Sequence, residues 1–115
     1  MTQKASSFAL TPEPPYYAVI FTSQRKEGDR GYAQMADDMV QLAAKQPGFL
    51  GMETVRDADG FGITISYWTT LEAITSWKRD SEHQAAQEGG KSLWYSNYHV
   101  RISQVQRAYS KSYKA

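Results

Sequence analysis

The sequence predicts an α+β domain of order β-α-β-β-α-β, a ferredoxin-like split βαβ with an antiparallel sheet and both helices on one face. Three observations predict it. Two stretches with apolar residues at three-four spacing are interleaved with four strand-like stretches. The middle two strands are separated only by "DADG", Asp57 to Gly60, where Asp-Gly is a strong hairpin signal. Pro47-Gly48 and Gly89-Gly90 end the two helical regions.

Each element follows from its residues. "MTQKASSFALTPEPP" is polar, lacks periodicity and ends in prolines, so residues 1–15 are expected to form a flexible arm. "YYAVIFTSQ", Tyr16 to Gln24, is β-branched and aromatic, with apolar residues on both faces, as a central strand requires. After the charged loop "RKEGDRG", Tyr32, Met35, Ala36, Met39, Val40 and Ala43 mark an amphipathic helix over Asp29 to Gln46. Phe49 to Asp57 and Phe61 to Trp68 alternate as strands. "TTLE" reads as a capping box, Thr69 answered by Glu72, opening a helix with Leu71, Ile74 and Trp77 on one stripe. A second box, Ser81 with Gln84, is expected to start a separate short helix. Trp94 to Tyr109 is the last strand, and its alternation slips after Ile102, which suggests a bulge or bend. The domain thus spans residues 16–109, with 110–115 as a tail.

Composition excludes several function classes. The 115 residues suit one domain, large enough for a real core. Net charge is +1 with both signs dispersed, so there is no basic footprint for nucleic acid. The absence of cysteine removes disulfides, thiolate metal sites and thiol nucleophiles. No apolar run is long enough for a transmembrane helix, and no charged-then-apolar leader opens the chain, so a cytoplasmic protein without membrane contact is expected. Eight tyrosines and three tryptophans are many for this size, and aromatic excess serves cores, interfaces and ligand pockets. The first strand carries Val19 and Phe21 on one face and Ala18 and Ile20 on the other. Helices on one side leave the second face needing cover, and a homodimer with its sheets face to face supplies it.

The stretch Tyr16 to Tyr109 resembles the antibiotic biosynthesis monooxygenase domain family. The shared pattern is Tyr67-Trp68, then Leu71-Glu72-Ala73-Ile74, Trp77, His83, and Trp94-Tyr95 before a closing strand. The resemblance implies a dimeric α/β barrel, in agreement with the dimer read from the strand faces. It also implies a range of activities: quinone-forming monooxygenation without a cofactor, haem degradation, or none assigned. The haem-degrading members use a first-strand asparagine with a tryptophan and a histidine. Here the first strand offers Thr22 and Ser23, and the only asparagine is Asn97 on the last strand, so haem degradation by that set is not expected.

Candidate residues follow. His83 is the candidate base, or the axial ligand if haem binds, because histidine titrates near neutrality and ligates iron; its bland alternative is a surface helix position. Trp77 is core or a pocket wall. Tyr95 joins His83 and Trp77 as a catalytic candidate that positions an aromatic ring. Tyr67, Trp94 and Tyr98 are candidate substrate contacts, since a buried phenol hydroxyl can hydrogen-bond a phenolic ligand. His99, Arg101 and Arg107 read as structural or interface residues. No carboxylate-histidine cluster has metal-ligand spacing. The expected function is cofactor-independent monooxygenation of a small aromatic or polyketide-like molecule; the alternatives are a haem-binding relative and a non-catalytic ligand-binding dimer.

Overall fold

The structure, a computed structural model, describes residues 8–113. Its elements are β1 (Tyr16–Arg25), α1 (Tyr32–Ala44), β2 (Phe49–Arg56), β3 (Phe61–Trp68), α2 (Leu71–Gln87), a single 3-10 turn (Lys91–Leu93) and β4 (Tyr95–Val105). The order is the expected β-α-β-β-α-β. The four strands form one antiparallel sheet, β2-β3-β1-β4, which makes β1 and β3 central. Residues 1–7 of the expected arm and 114–115 of the expected tail lie outside the described residues.

The register sorts every strand residue onto a face. Tyr17, Val19, Phe21 and Ser23 of β1 pair with Trp68, Ser66, Thr64 and Gly62 of β3. This is the face the helices cover, because Val19 and Trp68 pack with Ile74 and Trp77 of α2. The opposite face carries Ala18, Ile20 and Thr22 against Tyr67, Ile65 and Ile63. The apolar alternation of β3 therefore points away from the helices, while its helix side is small or polar apart from Trp68. Small residues let helices approach a sheet closely, and the space above is filled by tryptophan.

Helix ends show local chemistry doing the work. Gly31 precedes α1 at φ +84°, and no side chain at that position caps the helix. The Asp29 carboxylate does so instead, accepting the N–H groups of Gly31 and Ala33 at 2.8 and 3.2 Å. Asp29 is thus a cap, not the first helical residue expected. At the other end Gly48 takes φ +87°, and a Cβ there would lie 2.7 Å from Thr69 Oγ1 and 2.8 Å from Ala73 Cβ. The tight turn expected at Asp57 to Gly60 is present, its Asp57 carboxylate accepting the N–H groups of Asp59 and Phe61 at 2.9 Å.

Three local expectations are corrected. The cap of α2 is Thr70, whose hydroxyl accepts the Ala73 N–H at 3.0 Å, so the pairing of Thr69 with Glu72 does not form. Ser81 starts no second helix. Residues 71–88 contain neither glycine nor proline, and the Ser81 hydroxyl donates to the Lys78 carbonyl at 3.1 Å inside one continuous helix. The phase slip after Ile102 marks the end of β4. Val105 pairs with Tyr16, the first residue of β1, and beyond it there is no strand left to pair. The register shift falls instead at the other end, between Gln24 and Arg25 opposite the start of β4.

Candidate functional site

The helix side of the sheet holds two aromatic clusters. In the first, Trp68 is fully buried, stacked on Trp77 at 5.7 Å and 26° and edge-on to Phe49 at 5.3 Å. Its indole N–H donates to Ser66 Oγ at 2.9 Å. In the second, buried Trp94 packs with Met35 and Ala85, and its indole N–H donates to the Arg30 carbonyl at 3.0 Å. That bond and the one from Lys26 N–H to the Trp94 carbonyl fasten the β1–α1 loop to the start of β4. Trp94 is therefore enclosed by the core and contacts no open surface.

Tyr95 joins this second cluster to the edge of the sheet. Its ring lies 5.4 Å from Phe21, 5.9 Å from Tyr32 and 6.2 Å from Tyr98. Burial pushes its phenol above the ordinary range, and neighbouring Tyr32 adds to this; Arg56 and Arg25 pull the other way and lose. Tyr95 is a neutral hydrogen-bond donor, not a base. The two arginines are themselves locked. The Arg25 guanidinium lies 3.7 Å over the Tyr32 ring. Arg56 donates to Ser23 Oγ at 2.9 Å, to the Tyr32 hydroxyl at 3.2 Å and to the Gly60 carbonyl at 2.7 Å.

Beyond this cluster the helices stop covering the sheet. Tyr98, Val100 and Ile102 of β4 lie on the helix side, paired with Ser23, Phe21 and Val19, yet are 40%, 49% and 50% exposed. Lys91 projects over this open strip from the 3-10 turn, its Nζ 4.9 Å from the Tyr98 ring centre and 5.8 Å from that of Phe21. Burial lowers its pKa and the Lys78 charge adds to the lowering, while Glu82 opposes both. The ion pairs among the described residues are Lys78–Glu82 and Arg79–Asp80, so neither engages Lys91. A partly desolvated ammonium with no ion-pair partner therefore faces an aromatic and aliphatic strip. This combination suits a flat ligand carrying an acidic group.

His83 is placed elsewhere. The expectation had Ala86 against the core, carrying His83 inward. The buried stripe of α2 is instead Ile74, Ser81 and Ala85, while Ala86 and His83 are exposed. One residue of helical phase separates the two arrangements, and His83 lies about 200° around the helix from Ser81. Its Nε2 meets Gln87 Nε2 at 3.2 Å. Its helical neighbours Arg79, Ala86 and Gln87 are exposed, so no apolar walls surround it and the residues present do not fit a haem. Among the described residues, no three His, Cys, Asp or Glu side chains are grouped to hold a metal ion.

The structure thus brings Tyr95 and Tyr98 together, keeps Trp77 in the neighbouring cluster, and separates His83 from all three. Tyr67 lies on the opposite face, donating to Glu53 Oε1 at 2.7 Å, and its phenol is pushed up to about 12 by burial and by that carboxylate. Lys91 and Phe21 were missed as site residues. The signal for Lys91 was its place directly after the Gly89-Gly90 stop and four residues before Tyr95.

Comparison with known proteins agrees with the fold. The family model for antibiotic biosynthesis monooxygenases matches residues 15–89. Protein YqjZ of Bacillus subtilis, uncharacterised, is 60% identical over 97 residues, covering 84% of this chain and 85% of its own. The jasmonate monooxygenase ABM of Pyricularia oryzae is 27% identical over 94 residues, 77% of this chain but only 43% of that longer protein. Among solved structures, SnoaB, a cofactor-independent oxygenase from Streptomyces nogalater, superimposes with a TM-score of 0.69 at 12% identity, covering 84% of this chain and 98% of SnoaB. The PA3566 protein of Pseudomonas aeruginosa does so with a TM-score of 0.62 at 18% identity, covering 85% and 99%. At such identities the structural likeness speaks to fold, while the family match rests on sequence. The chain is a member of the antibiotic biosynthesis monooxygenase family.

Proposed function

We propose that the protein is a cofactor-independent monooxygenase for a small acidic aromatic or polyketide-like molecule, acting as a homodimer in the cytoplasm. The observation that carries the reading is Lys91, an ammonium without an ion-pair partner at the end of the open strip formed by Phe21, Tyr98, Val100 and Ile102. Family membership and the description of SnoaB as cofactor-independent support it. No helix among the described residues is long and apolar enough to cross a membrane.

The chemistry needs little from the protein. A lysine with a lowered pKa has a larger neutral fraction near pH 7, so Lys91 accepts the phenolic proton and then holds the phenolate as an ammonium. The electron-rich anion passes one electron to dioxygen. The resulting superoxide and phenoxyl radical combine at a ring carbon bearing hydrogen, and the hydroperoxide loses water to leave a quinone. One oxygen atom ends in the product and the other in water. Tyr95, held neutral, donates a hydrogen bond that orients the substrate oxygen; Trp77, stacked on Trp68, stiffens the wall behind. His83, facing water, takes no part.

The dimer follows from the opposite face of the sheet. Ile20, Ile63 and Ile65 lie there with Val55 and Phe61, which are 69% and 48% exposed. A second copy covers this apolar surface sheet to sheet. Light scattering on the parent protein and on Ile20→Asp tests this arm of the proposal: a dimer for the first and a monomer for the second is expected, and a monomeric parent sinks it. For the chemistry, mass spectrometry after incubating a hydroxyaromatic panel under isotope-labelled dioxygen is decisive. One labelled atom per product is expected. Binding without any label incorporated would replace the reading with a non-catalytic ligand-binding dimer.

A further inference from the structure

Residues 8–15 precede β1 and lie outside the stretch that the family model matches. They are anchored to the sheet face that points away from the helices. The Ala9 N–H donates to Glu53 Oε2 at 3.0 Å, while the other oxygen of that carboxylate holds the Tyr67 hydroxyl. Thr11 Oγ1 and the Tyr16 hydroxyl are 2.9 Å apart. Gly51 lets the segment approach closely, since a Cβ there would lie 2.9 Å from Ala9 Cβ. Tyr16 and Ala18 are buried although they share this face, which no helix covers. Pro12, Pro14 and Pro15 stiffen the segment and reduce the entropy lost in ordering it.

The side chains alternate along this anchored piece. Ala9 turns toward its own sheet, whereas Phe8 and Leu10 are 88% and 91% exposed. Two large apolar side chains are thus held outward by a fixed segment beside the open patch of Ile20, Ile65 and Val55. Area decides what covers them. Four strands about 4.8 Å apart and about eight residues deep at about 3.3 Å each present on the order of 500 Å² of face. Two bare sheets would bury on the order of 1,000 Å², below the roughly 1,200–2,000 Å² of a stable interface. Phe8 and Leu10 from both copies add on the order of 600 Å², at about 150 Å² per side chain, and bring the interface into that range.

We infer that each N-terminal segment is sandwiched between the two sheets of the dimer, with Ala9 on its own sheet and Phe8 and Leu10 inserted into the face of the second copy. The inference rests on the sheet-to-sheet dimer proposed above and assigns the segment a role in it. Sedimentation of the parent protein and of the Phe8→Asp, Leu10→Asp double variant tests it. Neither residue contributes to the core, so the far-ultraviolet spectrum should not change, while the dimer dissociation constant should rise at least tenfold. A photoactivatable phenylalanine analogue at position 8, in dimers mixed from light and heavy chains, should cross-link to residues 53–67 of the other chain. A double variant that dimerises within threefold of the parent, or cross-links confined to one chain, overturns the inference and leaves the dimer standing. A parent that sediments as a monomer overturns both.

Discussion

Ser66→Ala should destabilise the protein through a single atom. Trp68 closes β3 on the helix side and is wholly buried between Val19, Ile74, Phe49 and Trp77. Its indole N–H has one partner, the Ser66 hydroxyl at 2.9 Å, two residues back on the same face. Removing the hydroxyl strands a donor that water cannot reach, which costs about 2 kcal/mol. At about 4 °C per kcal/mol for a chain of this length, the melting temperature should fall by about 8 °C. Trp68→Phe removes the donor and part of the ring stacked on Trp77, costing about 2 kcal/mol by cavity formation. The double variant has no donor left to strand, so it should be about 1 kcal/mol more stable than the sum of the two changes predicts. Denaturant unfolding of all four proteins at one concentration measures the cycle; the concentration must be fixed because dimerisation shifts apparent stability. Ser66→Ala within 0.5 kcal/mol of the parent, or strict additivity, would show that the hydrogen bond does not constrain the core.

Other outcomes follow from the same geometry. Tyr67 should ionise late, near pH 12; its neutral form is favoured in the fold, so this contribution to stability is present below about pH 10 and lost as pH rises from there through 12. Glu53→Gln should bring that ionisation earlier without restoring the ordinary value, since burial persists; a phenol titration identical to the parent's would refute the pairing. His83→Ala should leave melting temperature, ligand binding and turnover unchanged, because the ring touches only Gln87; a tenfold loss of turnover would return the residue to the site. Gly48→Ala should cost more than 1 kcal/mol in unfolding free energy, because its positive φ and the nearness of Thr69 and Ala73 leave no room for a methyl group. Unchanged stability would refute that.

The fold was legible because its signals are short-range and redundant. A first strand apolar on both faces had to be central, "DADG" had to turn, and Pro47-Gly48 had to stop a helix, whatever the rest did. The site was less legible because it depends on phase and register. Whether Ala85 or Ala86 meets the core decides where His83 points, and polar residues from Lys78 to Gln84 give no apolar stripe from which to choose. Reading Ser81 as a cap compounded this, since a buried serine inside a helix and one at its start look alike in sequence. Lys91 reaches Phe21 and Tyr98 only because β4 pairs Val100 with Phe21 and Tyr98 with Ser23, a long-range register that no local motif encodes. Glu53 with Tyr67 was within reach, because the Asp57 to Gly60 turn sets the β2–β3 register and places them diagonally on one face.

The central claim is that Lys91 and the open strip of β4 receive an acidic aromatic and let it react with dioxygen unaided. Oxygen uptake by protein treated with a chelator, supplied with hydroxyaromatics that ionise near neutrality, tests it most directly. We expect one dioxygen consumed per quinone formed, the same rate with and without chelator, and at least a tenfold lower rate in Lys91→Gln with the fold intact. Uptake that needs an added metal or haem, or that Lys91→Gln leaves unchanged, would contradict the account.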